Sequence, residues 1–436
     1  MIAETTRLAR NAALICLLMF VLAAAHAAPP IDVNVDKSDG VYKCGEKAVF
    51  TVRPTAALPT DGLRVRYVFI RDGITTESAG RFTIQSEPVA FERTMFGPGQ
   101  LMVRLRWDGP TTGTVMAGAI FSPYKIMPSM DEPADFDAFW ARQKATLAGD
   151  YTAEIVPAQS VQPGYEVFHV KIPMPDGPPV QGYMTRPVGA APRSLGAIAF
   201  THGAYMPPRS SNVMPGRPGM IVFDFNAHGH ADGMPADFYR RLGRNELRQY
   251  WLRGWESRDT VYFLRMYKRL MRAIDFLTRR PEWDGKTLAV FGGSQGGAQA
   301  IAAAGLDPRV SVIVAGIPAM CDLTGYAAGR VDGWPHVIKL GAGGRPLHPD
   351  YVETARYFDS VNFARRIKCP SFFATGLIDL TCPPCTVMAA YNALGSKDKQ
   401  ILIMPKKAHE FSTDLAQRKI GEDFIKRVIR EQNESK

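Results

Sequence analysis

The chain has 436 residues, of which 46% are hydrophobic and 22% charged, with 39 glycines and 33 prolines. This composition excludes wholesale disorder and collagen-like repeats, and the length predicts two or three folded units. Lys and Arg total 52 against 42 Asp and Glu, a net charge of +10 with no long block of like charge. That balance argues weakly for acidic surfaces as partners and not for nucleic acid.

Arg7 and Arg10 precede an apolar run over residues 12–25, which closes on the small-x-small pattern Ala25-His26-Ala27. Residues 1–27 are therefore predicted to be a secretory signal peptide. The run is shorter than the roughly 20 residues needed to cross a bilayer. Ile15 before Cys16 does not suit a lipoprotein anchor, so no membrane anchor is expected. The expectation is export, to the periplasm or the medium, where disulfides can form. Beyond the leader lie Cys44, Cys321, Cys369, Cys382 and Cys385, an odd and sparse set that makes no disulfide framework. Cys382-Pro383-Pro384-Cys385 has redox or half-zinc spacing but no companion pair. It reads as a local disulfide or as two buried thiols, and neither metal nor cofactor is expected.

Residues 31–122 follow period two. Leu63, Val65, Tyr67 and Phe69 alternate with Arg64, Arg66 and Val68; Leu101, Val103, Leu105 and Trp107 alternate with Met102, Arg104 and Arg106. Turn signals such as Asp61-Gly62, Asp72-Gly73 and Gly97-Pro98-Gly99 separate these runs. One-faced strands at this spacing predict a small immunoglobulin-like β-sandwich. It holds no histidine and no catalytic cluster.

The pattern changes near Pro123, and residues 123–436 are predicted to form an α/β unit. Phe136, Phe139, Trp140 and Leu147 share one helical face. Residues 165–173 and Val180–Pro187 read as a hairpin. Leu195–Thr201 and residues 220–225, 287–291, 310–315, 371–375 and 401–404 are short apolar strands, and 262–280 is a long helix. Such alternation predicts a mostly parallel sheet with helices on both faces. Chemistry then belongs on the loops beyond the carboxyl ends of the strands.

The sharpest motif is Gly292-Gly293-Ser294-Gln295-Gly296-Gly297, between the strand at 287–291 and a helix predicted over 295–304. In a strand–turn–helix setting, Gly-x-Ser-x-Gly is a nucleophile elbow. Its glycines let strand and helix approach closely, and the helix N-terminus favours developing negative charge. The blander reading is a capped βα turn. A hydroxyl needs a base, and in this topology acid and base follow the nucleophile in that order. His409 lies in the loop after the last strand, whereas His336 and His348 sit in a Gly/Pro-rich excursion and read as surface or lid residues. Asp379 follows the strand at 371–375; Asp322 is the runner-up acid, though a turn or cap residue after Cys321 is the better reading there. The expected triad is Ser294, Asp379 and His409. The backbone N–H groups of Gln295 and of Ala204, in the loop Thr201-His202-Gly203-Ala204, are the expected oxyanion donors.

Together these residues resemble the acetyl xylan esterase / cephalosporin C deacetylase family. The matching pieces are Asp135-Phe136-Asp137-Ala138-Phe139-Trp140, His202-Gly203, Arg280-Pro281-Glu282-Trp283, the elbow, Gly376-Leu377-Ile378-Asp379 with Cys382-Pro383-Pro384, and His409-Glu410. The resemblance spans about 133–411 and implies an α/β-hydrolase fold and deacetylation of acetylated carbohydrate such as xylan or xylo-oligosaccharides. A secreted branch with an extra N-terminal β-domain looks similar to the whole chain. Two departures stand out. Asn226-Ala227-His228-Gly229 replaces the family's Arg-Gly-Gln, and Ala204 stands where most members have Tyr, with Tyr205 next. Tyr205 and Trp334 are the expected substrate contacts, Trp334 as a sugar platform or a core or lid aromatic. Compact members form ring-like hexamers, which leaves a homo-oligomer among the expectations. Two rival readings are a prolyl-oligopeptidase-like peptidase and a carbohydrate-binding protein on an inactive hydrolase scaffold. The first needs a propeller of blades of about 40–45 residues, which residues 31–122 cannot supply.

Overall fold

The structure is a computed structural model and describes residues 28–108, 112–160, 162–204, 215–411 and 414–434. The leader reading of residues 1–27 and the Tyr205 assignment lie outside the described residues.

The N-terminal unit comprises β1 (Ile31–Val35), β2 (Val41–Tyr42), β3 (Lys47–Pro54), β4 (Leu63–Arg71), β5 (Thr75–Ile84), β6 (Val89–Thr94), β7 (Gly99–Trp107) and β8 (Gly113–Phe121). They form a three-stranded sheet, β1-β3-β6, and a five-stranded sheet, β2-β8-β7-β4-β5. Period two explains the packing. Val33, Phe50 and Val52 from one sheet meet Val65, Phe69, Val103 and Leu105 from the other, all buried. This sandwich is not a propeller.

The rest of the chain builds a nine-stranded sheet from β9 (Glu154–Ala158), β10 (Tyr165–Ile172), β11 (Val180–Pro187), β12 (Leu195–Thr201), β13 (Met220–Asn226), β14 (Trp283–Gly293), β15 (Val312–Gly316), β16 (Ser371–Gly376) and β17 (Lys399–Met404). The order is β17-β16-β15-β14-β12-β13-β11-β10-β9, parallel from β17 to β13 and antiparallel from β13 to β9. The helices are α1 (Phe136–Ala145), α2 (Ala236–Arg244), α3 (Tyr262–Thr278), α4 (Gln295–Leu306), α5 (Pro349–Phe358), α6 (Ser360–Ala364), α7 (Pro384–Ala393) and α8 (Leu415–Glu434). Alternate strand residues feed two cores. Ala199, Val290 and Ile313 pack with Ile274 of α3 and Ile301 of α4. Phe200, Phe291 and Val314 pack with Phe424 and Val428 of α8. A mixed sheet covered on both faces is the predicted α/β-hydrolase architecture. Strand β14 begins at Trp283, four residues earlier than the apolar run, because Trp283 pairs with Leu195 and its indole N–H donates to the Thr287 carbonyl at 2.9 Å.

The two units share a tight seam. Gly118 of β8 lies against Leu377, so close that a Cβ there would sit 2.3 Å from the Leu377 carbonyl oxygen. Gln100 of β7, 3% exposed, donates to that same oxygen at 2.7 Å. Lys406, before His409, pairs with Asp32 of β1 at 2.5 Å. The sandwich thus grips the loops after both β16 and β17.

Candidate active site

Three strand ends supply the predicted triad. Ser294 sits between β14 and α4 at φ 57° and ψ −124°, a conformation that is strained for any residue but glycine. Its N–H donates to the Gly316 carbonyl at 2.9 Å, and its own carbonyl accepts from the Ala319 N–H at 3.0 Å. Neighbouring β15 therefore holds the strained turn. The elbow glycines are demanded by contact. A Cβ on Gly292 would lie 2.2 Å from the Thr201 hydroxyl, and one on Gly296 would lie 2.3 Å from the Thr201 carbonyl oxygen.

His409 bridges the other two groups. Its Nε2 is 2.8 Å from Ser294 Oγ and its Nδ1 is 2.8 Å from Asp379 Oδ2. The ring is partly exposed, whereas Asp379 is buried. Asp379 Oδ1 accepts from the backbone N–H groups of Thr381 and Cys382, at 2.8 and 2.9 Å. Those two bonds orient the carboxylate so that its second oxygen faces the ring. With Nδ1–H donating to Asp379, Nε2 is left to accept the Ser294 proton. The arrangement can therefore move a proton between hydroxyl and imidazole. Gly376, which ends β16, touches the His409 loop so closely that a Cβ would meet the Lys407 carbonyl oxygen at 2.1 Å.

The loop after β12 is set by His202. Its Nε2 accepts from the Ala227 N–H at 3.1 Å, so its Nδ1 carries the proton and donates to the Gly203 carbonyl at 2.8 Å. This is a fixed neutral tautomer, which makes His202 a loop organiser and no base. A trans peptide points its C=O and N–H in opposite directions. Pinning the Gly203 carbonyl therefore aims the Ala204 N–H away from His202. The Gln295 side chain is held by the Tyr250 hydroxyl.

The sequence departure at 226–229 has a structural role. The Asn226 carboxamide accepts from the His228 N–H at 2.8 Å and donates to the His230 carbonyl at 3.0 Å. His228 Nδ1 lies 2.9 Å from the Tyr262 hydroxyl, and its ring packs edge-on to Tyr250 at 4.7 Å. Burial, with His202, His230 and Arg269 nearby, pushes the His228 pKa well below its ordinary value, so the ring is a neutral packing group. Tyr250 and Tyr262, which brace the elbow and this loop, carried no sequence signal beyond being aromatic.

The runner-up acid and the surface reading of His336 need correction. Asp322 is buried away from His409. Its Oδ1 accepts from the Ser129 N–H and hydroxyl at 2.8 and 2.6 Å, and its Oδ2 pairs with Arg330 at 2.6 Å, so it ties the 123–130 segment to the post-β15 loop. His336 is not a surface residue. It is half-buried, interacts with the backbone of Asp332 and Thr381, and has its pKa lowered by burial. His336 has a positive φ of 54°, which no local pattern announced. His348 is exposed, as expected. The Cys382–Cys385 alternative resolves to two buried, unbonded thiols. Burial and the Asp379 charge raise the Cys382 pKa well above the usual thiol value, and its thiol reaches Ser294. Among the described residues, Asp379, Cys382 and His409 place ligand-type atoms within 4.8 Å of one another. Both His409 nitrogens are engaged within the triad, one to Asp379 and one to Ser294. Trp334 is half-buried, 5.9 Å from the Trp251 ring and edge-on to Phe263 at 6.1 Å. Among the described residues no helix is long and apolar enough to cross a membrane.

The family model for acetyl xylan esterase (AXE1) matches residues 122–426. The acetyl esterase Axe7A of Xylanibacter ruminicola is 33% identical over 385 residues, covering 85% of each chain. The solved acetyl xylan esterase from Paenibacillus sp. R4 superposes with a TM-score of 0.57 at 26% identity, covering 70% of this chain and 98% of its own. Acetyl xylan esterase 1 from Thermoanaerobacterium sp. JW/SL YS485, at 21% identity and a TM-score of 0.58, covers 70% of this chain and 97% of its own and shares the fold. Those covered lengths leave room for the sandwich as an addition to the hydrolase unit. The chain belongs to the acetyl xylan esterase family and is a carboxylic ester hydrolase, an acetyl esterase on an α/β-hydrolase fold.

Proposed function

We propose that the protein is a secreted or periplasmic serine esterase that removes acetyl groups from acetylated xylan or xylo-oligosaccharides. The single observation that carries the mechanism is His409, 2.8 Å from both Ser294 Oγ and Asp379 Oδ2. Ser294 Oγ attacks the acetyl carbonyl carbon while its proton passes to His409 Nε2. Asp379 stabilises the imidazolium. The tetrahedral oxyanion accepts hydrogen bonds from the N–H groups of Gln295 and Ala204. Collapse breaks the bond to the sugar oxygen, which takes the proton from His409 and departs as a hydroxyl, and leaves acetyl-Ser294. Water then attacks the acetyl carbonyl, passing a proton to His409; collapse breaks the bond to Ser294 Oγ, which takes that proton back from His409 Nε2, and acetate leaves.

Secretion rests on the charged, apolar and small-residue pattern of residues 1–27. The polysaccharide substrate rests on the family and on the small acyl group that its members' names share. Acetate release from acetylated xylan, compared between the parent and Ser294→Ala, tests the reading. Release by the parent and none by the variant is expected. Equal release by both would refute the assigned nucleophile, and release from small esters but not from xylan would refute the substrate.

A further inference from the structure

The outward face of the five-stranded sandwich sheet carries an unusual charge pattern. In register across the sheet, Thr114 of β8 faces Arg106 of β7, Arg106 faces Arg66 of β4, and Arg66 faces Arg81 of β5. Arg64 and Arg104 lie two residues along β4 and β7 on the same face, and all five arginines are exposed. The intervening Val65 and Leu105 are buried in the sandwich core. Opposed residues in a sheet have Cβ atoms about 4.5–5.5 Å apart, and like charges there are destabilising. Two such oppositions share Arg66. Among the described residues the carboxylate that pairs with the row is Asp108, which contacts Arg66 and lies 3.8 Å from Arg106. Arg64, Arg66, Arg81, Thr83 and Asp108 line a depression of about 460 Å³.

The same face is used twice. At its other end Gln100 and Gly118 are buried against Leu377, two residues before Asp379. Along β7, Arg104 and Arg106 lie about 13 and 20 Å from Gln100 at the usual rise per residue. The arginine row therefore begins where the seam with the hydrolase unit ends.

We propose that this row is a binding surface for an acidic polysaccharide, a chain bearing uronic-acid carboxylates, which it holds beside the esterase site. The proposal rests on the reading of the protein as an esterase of acetylated polysaccharide. Guanidinium groups pair carboxylates through two parallel N–H donors. The exposed hydroxyls of Thr83 and Thr114 suit sugar hydroxyls. Val68 and Met116 face Arg104 on this surface and Phe82 lines the depression, but all three are half-buried, so the face offers little aromatic surface to a base or apolar surface to a lipid.

The test measures binding of the purified protein to glucuronoxylan and to the same polymer with its carboxyl groups reduced to alcohols. A triple variant, Arg66→Gln, Arg81→Gln and Arg106→Gln, is compared with the parent. The parent should bind the acidic polymer about tenfold or more tighter than the reduced one, and the variant should lose that difference. Its turnover of a small acetyl ester should stay unchanged. Equal binding to both polymers, or a variant that binds like the parent, would overturn the proposal. So would equally tight binding to anionic phospholipid vesicles or duplex DNA that the same substitutions abolish. A parent that binds the acidic polymer but hydrolyses no acetyl ester would refute the esterase reading while supporting this surface.

Discussion

Gln100 of the sandwich donates through Nε2 to the backbone carbonyl of Leu377, at 2.7 Å, two residues before Asp379. The bond is buried, so its loss strands a carbonyl without water. That costs about 1–3 kcal/mol. Gln100→Met keeps the volume and removes the donor. We expect it to lower the unfolding free energy by that amount and to reduce kcat more than KM for a small ester, because the Asp379 loop loses a tether. A variant with parental stability and kcat would show that the seam does not support the site.

Asp379 does two jobs, which one substitution separates. Asp379→Asn keeps the size but presents an amide to His409, favouring the wrong ring tautomer. Loss of about 10⁴-fold in kcat is expected, with folding retained. A fall of less than tenfold would point to a different acid.

His202 is expected to act through Ala204. His202→Phe fills the space but cannot hold the Gly203 carbonyl or accept from Ala227. If that pinning aims an oxyanion donor, kcat falls by about 10²–10³-fold while KM for the ester changes little. A change confined to KM would assign the loop to binding alone.

Gly292 gives a steric test. A methyl group there meets the Thr201 hydroxyl at 2.2 Å and the Gly296 carbonyl carbon at 2.4 Å. Both the strand and the start of α4 must move, so Gly292→Ala is expected to destabilise by about 1–3 kcal/mol or more and to abolish activity. Urea unfolding and ester turnover together check this, and parental values in both would contradict the close approach.

Asp232 gives a pH signature. Burial, with Asp224 nearby, raises its pKa from 3.8 to about 8. The folded protein then holds a proton that the unfolded chain has released. The stability this contributes is full below the unfolded value and is lost as pH rises through about 8. Asp232→Asn removes that dependence. Relative to the parent, the variant should gain stability between pH 5 and 8, by at most about 1.4 kcal/mol per pH unit. Urea unfolding at both pH values measures it, and a relative loss with rising pH would contradict the burial.

Much of this site is written in local sequence. The elbow is legible because tight strand-to-helix contact requires Gly292 and Gly296 around Ser294, and the positions of Asp379 and His409 follow from the strands before them. The period-two runs mark the sandwich for the same reason, since one face must be buried. The rest depends on contacts far apart in sequence. Gln100 looks like any strand polar residue until Leu377 arrives beside it. Asp322 resembles a catalytic acid because it follows a strand, yet its partners are Ser129 and Arg330. His336 sits in a glycine-rich segment, and only the folded chain brings it to the Thr381 backbone in the Asp379 loop. Tyr250 supports Gln295 from a segment with no motif of its own.

The most direct measurement traps the reaction halfway. The protein is mixed with a small acetyl ester, quenched in acid during turnover, digested and analysed by mass spectrometry. The account predicts one acetyl group on Ser294, absent from Ser294→Ala. An acetyl group on another residue, or turnover by Ser294→Ala at the parental rate, would contradict it.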